Sequence, residues 1–423
     1  MNGLLIFLLA LLVIGSDTYL FLPWLRPEMI FFLCCATWKN TIIGRTEIPL
    51  PHPAEQRARN SLKTVYALFM MMMIITDTCH GYILNTLPSY LCHWMIFGTF
   101  LILEQKESNC RDIYFFMSFS FIYNIFFAFF QRAGIFITAG SLSEIIPIIG
   151  VERLFVGDTG QGLRVSGSFQ SCIPLSMLFG ILVCTLVFAG KIFGHKRLNI
   201  FMLACCIWAL LNTQTRSAIL SLPIALFLTD LFLFLKNTER WKAALKRAAL
   251  LAVLLVAAWF WGEEYISSQQ SRVATFSDGS SVLRYQVNVA GVVGTLMLSP
   301  WVGVSRAPDK AMEAILVGYA KCGDLFDRRW APIVTHHCEP AYYFRYYGII
   351  GFTLYLLLYI SIIRYIFVCK KDVAIQKALL AVILYFFFFS LMHNTKLIAS
   401  LSVWILLALN APPDKGEPLK SVK

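Results

Sequence analysis

Residues 343–366 read YFRYYGIIGFTLYLLLYISIIRYI, and Arg345 and Arg364 are the only charges among these 24 residues. A helix needs about 20 apolar residues to cross a hydrocarbon core. The stretch therefore reads as a spanning helix, and the chain on either side repeats the pattern. Apolar runs separated by short polar breaks lie at 3–21, 27–38, 64–84, 87–104, 113–131, 169–190, 198–212, 217–235, 248–264, 378–393 and 397–411. No ten-residue segments of alternating polarity occur, which argues against a membrane barrel. The 423 residues are 58% hydrophobic and 14% charged, against about 25% charged in soluble domains. That balance excludes disordered, coiled-coil, collagen-like and nucleic-acid-binding classes. The expected fold is an all-α polytopic membrane protein of about 12 transmembrane helices with a long, partly helical outer loop.

The net charge of +12 is first a matter of topology, because cytoplasmic loops collect Lys and Arg. With twelve spans both termini share a side. That side then holds 22 of the 36 basic residues and the opposite side 13, with Arg345 at a span edge. The termini are expected to be cytoplasmic. The first apolar segment lacks a cleavage-type end and reads as a first helix. Three regions follow: 1–264 with helices 1–9, short loops and an outer loop at 132–168; 265–342 as an outer loop domain; and 343–423 with helices 10–12 and a cytoplasmic tail. Segment 51–60 and the tail after Ala411 read as solvated loops. Loops beyond about 15 residues are usually functional or disordered, so the 78 residues of 265–342 draw attention.

Twelve cysteines fall mostly in apolar runs, where they act as small hydrophobes. Cys322 and Cys338 both lie on the expected outer side, where a disulfide is open to them in an oxidising compartment. No CxxC or HExxH pattern occurs, and no metal site is expected.

Four polar stretches stand out. Arg216, in Leu211-Asn212-Thr213-Gln214-Thr215-Arg216-Ser217-Ala218, belongs to a polar knot between two spans; it reads either as a snorkelling helix-end arginine or as a functional group facing a cavity. Arg164 follows Gly160-Gln161-Gly162-Leu163, whose open backbone N–H groups suit an anion, although a flexible loop would look the same. Arg284 opens a helical run that ends before Pro300, and on its own it reads as a solvated first-turn residue. His337, in Thr335-His336-His337-Cys338-Glu339, can take a proton from a hydroxyl or sit in an interfacial aromatic belt. Three arginines and a histidine on one side suit a lipid diphosphate donor, since guanidinium pairs with phosphate oxygens.

These residues resemble a family. Thr213-Gln214-Thr215-Arg216-Ser217-Ala218 resembles the outer-edge arginine motif of bacterial O-antigen ligases. Leu283-Arg284-Tyr285 followed by Ser299-Pro300-Trp301-Val302-Gly303-Val304 resembles their long-loop arginine helix and the turn after it. His337-Cys338-Glu339 ahead of Gly348-Ile349-Ile350-Gly351 resembles the histidine stretch before a GxxG span, and Arg164 before Gly167-Ser168-Phe169 a looser upstream motif. The match covers about residues 160–360, and Cys338 stands where the family usually has asparagine.

The resemblance implies an O-antigen ligase/polymerase superfamily glycosyltransferase in the bacterial inner (cytoplasmic) membrane, with its site on the periplasmic side. An undecaprenyl-diphosphate-linked O-antigen glycan would be transferred with inversion to a sugar hydroxyl of the lipid A-core. No cofactor, nucleotide sugar, metal or nucleic acid is implied, and membrane lipids are the other contacts. His337 would be the base, with His336 as a substitute, and Arg216 and Arg284 would hold the diphosphate. Arg164, Gln214, Thr215, His336, Glu339 and Arg345 are the candidate substrate-binding residues, Glu339 as a group that orients the imidazole. Two alternatives remain: an O-antigen polymerase extending lipid-linked repeats, and a lipid-linked glycan transporter.

Overall fold

The computed structural model describes residues 29, 32–33, 35–36, 52–105, 109–132, 165, 172–213, 215–234, 279–323, 338–393 and 395–410. The expected spans at 3–21 and 248–264 lie outside these residues. The described chain is helical: α1 (Pro53–Cys79), α2 (Ile83–Leu103), α3 (Cys110–Arg132), α4 (Cys172–Ala189), α5 (Lys196–Thr213), α6 (Arg216–Phe234), α7 (Gly279–Leu298), α8 (Pro308–Cys322), α9 (Glu339–Cys369), α10 (Val373–Ser390) and α11 (Leu401–Leu407). Among the described residues, α1, α2, α3, α4, α9 and α10 are long and apolar enough to cross a membrane. Large apolar side chains such as Met71, Ile75, Ile122 and Phe129 stay exposed on these helices, as a lipid-facing surface requires. The chain is a membrane-embedded helical protein.

Two sequence expectations need correction. Segment 51–60 is not all loop, because α1 begins at Pro53. His52 Nδ1 accepts the Ala54 N–H at 3.3 Å, and Glu55 lies in the first turn. Proline at the first helical position and an acid beside it both favour a helix start there. The last expected span, 397–411, is also not one continuous helix. A 3₁₀ turn at Leu397–Ala399 precedes the seven-residue α11. The turn is held because Leu397 gives its N–H to Glu339 and its carbonyl to Trp404 Nε1, at 2.8 and 3.1 Å.

The 343–366 stretch that reads as one span contains a reversal. Gly348 has φ 64 and ψ −163 inside α9. The Tyr343 and Tyr355 rings lie 4.8 Å apart, whereas twelve residues of straight helix would separate them by about 18 Å. Residues 339–347 therefore fold back beside residues 349–369, and both pack on α1, with Phe69 4.9 Å from Tyr343. The 21 residues of the second arm, about 31 Å long, suffice alone to span a bilayer core.

An aromatic cluster of Tyr66, Phe97, Phe100 and Trp404 forms the centre of the bundle. A second group joins α4, α6 and α10: Tyr385 donates to the Ser176 carbonyl at 2.9 Å, and Lys377 pairs with Asp230 at 3.7 Å.

At the end of the bundle away from Gly348, buried polar groups tie four elements. Glu104 takes the Tyr365 hydroxyl at 2.7 Å and the Arg59 guanidinium at 3.0 Å. Lys370 donates to Asn410 at 3.0 Å, and Asn109 donates to the Ala408 carbonyl at 2.7 Å. Burial lowers the Lys370 ammonium to about 8, with Glu104 opposing that shift. The unfolded chain then binds more protons between this value and about 10.4, so stability rises with pH across that window. We predict that raising the pH through it increases stability in detergent by about 3 kcal/mol through this lysine. Lys370→Met should lose that increment. An equal pH dependence in both proteins would overturn the assignment.

Candidate functional site

The break in α9 exposes two sets of backbone groups: carbonyls that end the first arm and N–H groups that begin the second. Residues 299–306, SPWVGVSR, supply partners for both. Val304 and Ser305 donate to the carbonyls of Arg345 and Tyr346 at 3.1 and 3.0 Å. Pro300 and Trp301 accept from Ile349 and Ile350 at 2.8 and 3.2 Å. The loop is thus a clamp laid across the reversal. It fits only because its two facing positions lack a side chain. A Cβ on Gly348 would lie 2.4 Å from the Trp301 carbonyl, and one on Gly303 would lie 2.3 Å from the Tyr346 carbonyl carbon. Both glycines also have positive φ. Gly348→Ala should therefore destabilise the protein severely, by more than the roughly 1 kcal/mol of a plain helix substitution. Thermal unfolding in detergent checks this, and a midpoint like that of the unaltered chain would overturn the clamp.

The clamp is bolted to α1 by one acid. Asp77 is fully buried. Its Oδ1 accepts from the Ser305 hydroxyl at 2.7 Å and the Arg306 N–H at 3.3 Å. Its Oδ2 accepts from the Tyr90 hydroxyl at 2.5 Å and from Arg306 Nε at 3.1 Å. The Arg306 guanidinium also lies over the Tyr90 ring, 4.8 Å from its centre. Ser305 adopts a positive φ of 64, uncommon for a side-chain-bearing residue, and its bond to Asp77 fixes that conformation. A buried ion pair is stabilising only when its remaining lone pairs are filled, and here hydroxyl and amide donors fill them. We predict that Asp77→Ala or Arg306→Ala costs roughly 3–5 kcal/mol, and that the double variant costs less than the sum of the two. Denaturation midpoints of the three variants measure this; strict additivity would sink it.

Arg345 locks the hairpin formed by α7 and α8 to the same place. It is buried, donates to the Ala311 carbonyl of α8, and lies over Tyr346 at 5.2 Å. Its carbonyl takes the Thr295 hydroxyl of α7 at 3.3 Å. The two arms of this hairpin touch backbone to backbone. A Cβ on Gly294 would lie 1.7 Å from the Ala314 carbonyl oxygen, and one on Gly318 1.8 Å from that of Ala290.

The structure treats the sequence candidates unevenly. Arg164, Gln214, His336 and His337 lie outside the described residues. Arg216 is the first residue of α6 and Arg284 lies in the opening turns of α7. Val165, next to Arg164, is buried and donates to the Asn212 carbonyl at 3.2 Å. Val165 therefore lies beside the last turn of α5, at Asn212, four residues before Arg216 in the chain.

Three further candidates, Thr215, Glu339 and Arg345, are buried. Thr215 is buried, bonds to Thr213, and gives its carbonyl to the N–H groups of Ala218 and Ile219, starting α6. Glu339 is buried, and its Oε1 accepts the Leu397 N–H at 2.8 Å. Arg345 serves the clamp. Each is held by packing and short-range polar contacts. Cys322 and Cys338 are both free thiols; Cys338 caps α9, and burial raises its pKa.

Sequence reading missed Asp77 and Arg306. The signal for Asp77 was present: a single acid inside Met70–His80, MMMMIITDTCH, where an ionisable residue in an apolar span needs a partner. No comparable signal pointed to Arg306, one of seven basic residues in the long loop.

Among the described residues, no group of three or more His, Cys, Asp or Glu is placed to hold a metal ion. No protein-family model and no curated protein matches the chain.

Proposed function

We propose that this chain is a metal-independent membrane glycosyltransferase of the O-antigen ligase type, acting in lipopolysaccharide biosynthesis. One observation carries the reading: the turn at Ser299–Val304 and the Gly348–Gly351 stretch, which bear the resemblance separately in sequence, interlock bond for bond in space. A motif pair that builds one clamp is a stronger pointer than two short matches. The contact between Val165 and Asn212 is compatible with it, because Val165 follows Arg164 in sequence and Asn212 lies four residues before Arg216. Arg216 also opens a helix, where backbone N–H groups and the helix dipole favour an anion.

In this reading the donor is a glycan on undecaprenyl diphosphate and the acceptor a lipid A-core hydroxyl, met on the periplasmic side of the bacterial inner membrane with both termini in the cytoplasm. His337 takes the acceptor proton as the new glycosidic bond forms. The bond from the anomeric carbon to phosphate breaks on the opposite face, and the lipid diphosphate leaves. Arg216 and Arg284, with Arg164, neutralise its charge. Thr215, Glu339 and Arg345 position the elements around the site without touching substrate.

The broken α9 supports one rival reading, since interrupted helices line transporter sites. A transfer assay with purified protein, lipid-linked donor and core acceptor in detergent decides between them. Glycan should move to the acceptor without a membrane gradient or added metal, and a chelator should change nothing. His337→Ala should reduce the rate by about 10²–10⁴-fold, and Arg216→Ala should abolish transfer at unchanged expression. No transfer by the unaltered protein would overturn the proposal, and joining of lipid-linked repeats to one another would make it a polymerase.

A further inference from the structure

The α7–α8 hairpin has two unlike arms. Residues 285–305, covering most of α7 and the clamp, contain no Asp, Glu, Lys or Arg. On α8, Asp309, Lys310, Glu313 and Lys321 are all exposed, and Lys310 pairs with Glu313 at 3.0 Å. The inner faces of the arms meet through Val287, Ala290, Ile315 and Tyr319. The outer face of the first arm is left bare. Leu296, Met297, Leu298, Trp301 and Val302 are exposed large apolar residues, with Trp301 at 63% and Met297 at 56%. Five such residues within seven positions form a contiguous patch, which soluble surfaces rarely show.

The position of the patch says what covers it. The Val302 carbonyl accepts the Thr76 hydroxyl at 3.4 Å, near the end of the spanning helix α1. Beside Thr76, Met71 and Ile75 are exposed on the lipid-facing side of α1. Trp301 is fixed at the start of the 349–369 arm by its bond to Ile350. The bare face is therefore continuous with the membrane-facing surface and sits at its edge, where tryptophan is favoured. An uncharged arm below and a charged arm above is the pattern of an interfacial amphipathic element.

We infer that the α7–clamp arm lies in the bilayer interface, with acyl chains covering Leu296, Met297, Leu298, Trp301 and Val302, while α8 stands in water. The outer hairpin is then a membrane-seated element rather than a freely solvated cap. This inference holds whatever reaction the protein performs.

Full-length protein is reconstituted in phosphatidylcholine vesicles with brominated acyl chains. The emission of Trp301 is taken as the difference between the unaltered chain and Trp301→Phe, a substitution that leaves packing intact at an exposed site. Expected are loss of the Trp301 emission in brominated vesicles and its protection from aqueous iodide. Lys310→Trp in the Trp301→Phe background reports the other arm and should show the reverse, quenched by iodide and not by brominated lipid. Iodide quenching of Trp301 without bromine quenching overturns the inference. So does bromine quenching that vanishes as protein is concentrated in the vesicles, which would mean that a second copy covers the patch.

Discussion

Everything at the clamp end of the molecule follows from one constraint: a helix interrupted in an apolar bundle must find partners for the backbone groups it exposes. At Gly348 the chain turns back on itself, and residues 300–305 supply those partners to both helix ends at once. The two glycines allow the approach. The Asp77–Arg306 pair then fastens the clamp to α1, and Arg345 fastens the α7–α8 hairpin to the first arm of α9. Removing the reversal would leave the α7–α8 hairpin without a seat and Asp77 with the Tyr90 hydroxyl as its remaining donor.

The far end of the bundle is built on a different principle. There the side chains of Asn109 and Asn410 bond backbone groups of Ala408, Asn410 and Glu104, and the Glu104 carboxylate takes the Tyr365 hydroxyl of α9. No backbone reversal needs repair, so polar side chains suffice. The two ends differ accordingly: one rests on main-chain bonds that only glycine permits, the other on bonds made by buried polar side chains.

Hydropathy alone reveals most of the helices, because each must cover its length with apolar residues whatever its neighbours do. It does not reveal the reversal. Gly348-Ile349-Ile350-Gly351 is as apolar as the helix around it, and a tight turn clamped from outside carries no local polar signature. The start of α1 is missed for the opposite reason: Glu55, Arg57 and Arg59 look like loop residues by polarity, although they are good helix formers. Site residues show the same division. Asp77 is legible as a lone acid in an apolar run. The inward roles of Thr215, Glu339 and Arg345 depend on partners 2, 58 and 34 residues away, and the two distant ones cannot be read from spacing.

The bond between Arg306 and Asp77 spans 229 residues, and that separation matters during synthesis. At 5–20 residues per second, roughly ten to forty-five seconds pass between the two leaving the ribosome. Throughout that interval α1 holds an acid near the end of an apolar helix, with its guanidinium partner not yet made. The first helices must therefore wait in the membrane in a provisional arrangement. Their final depth and tilt are set late, when the clamp reaches them from the other end of the chain.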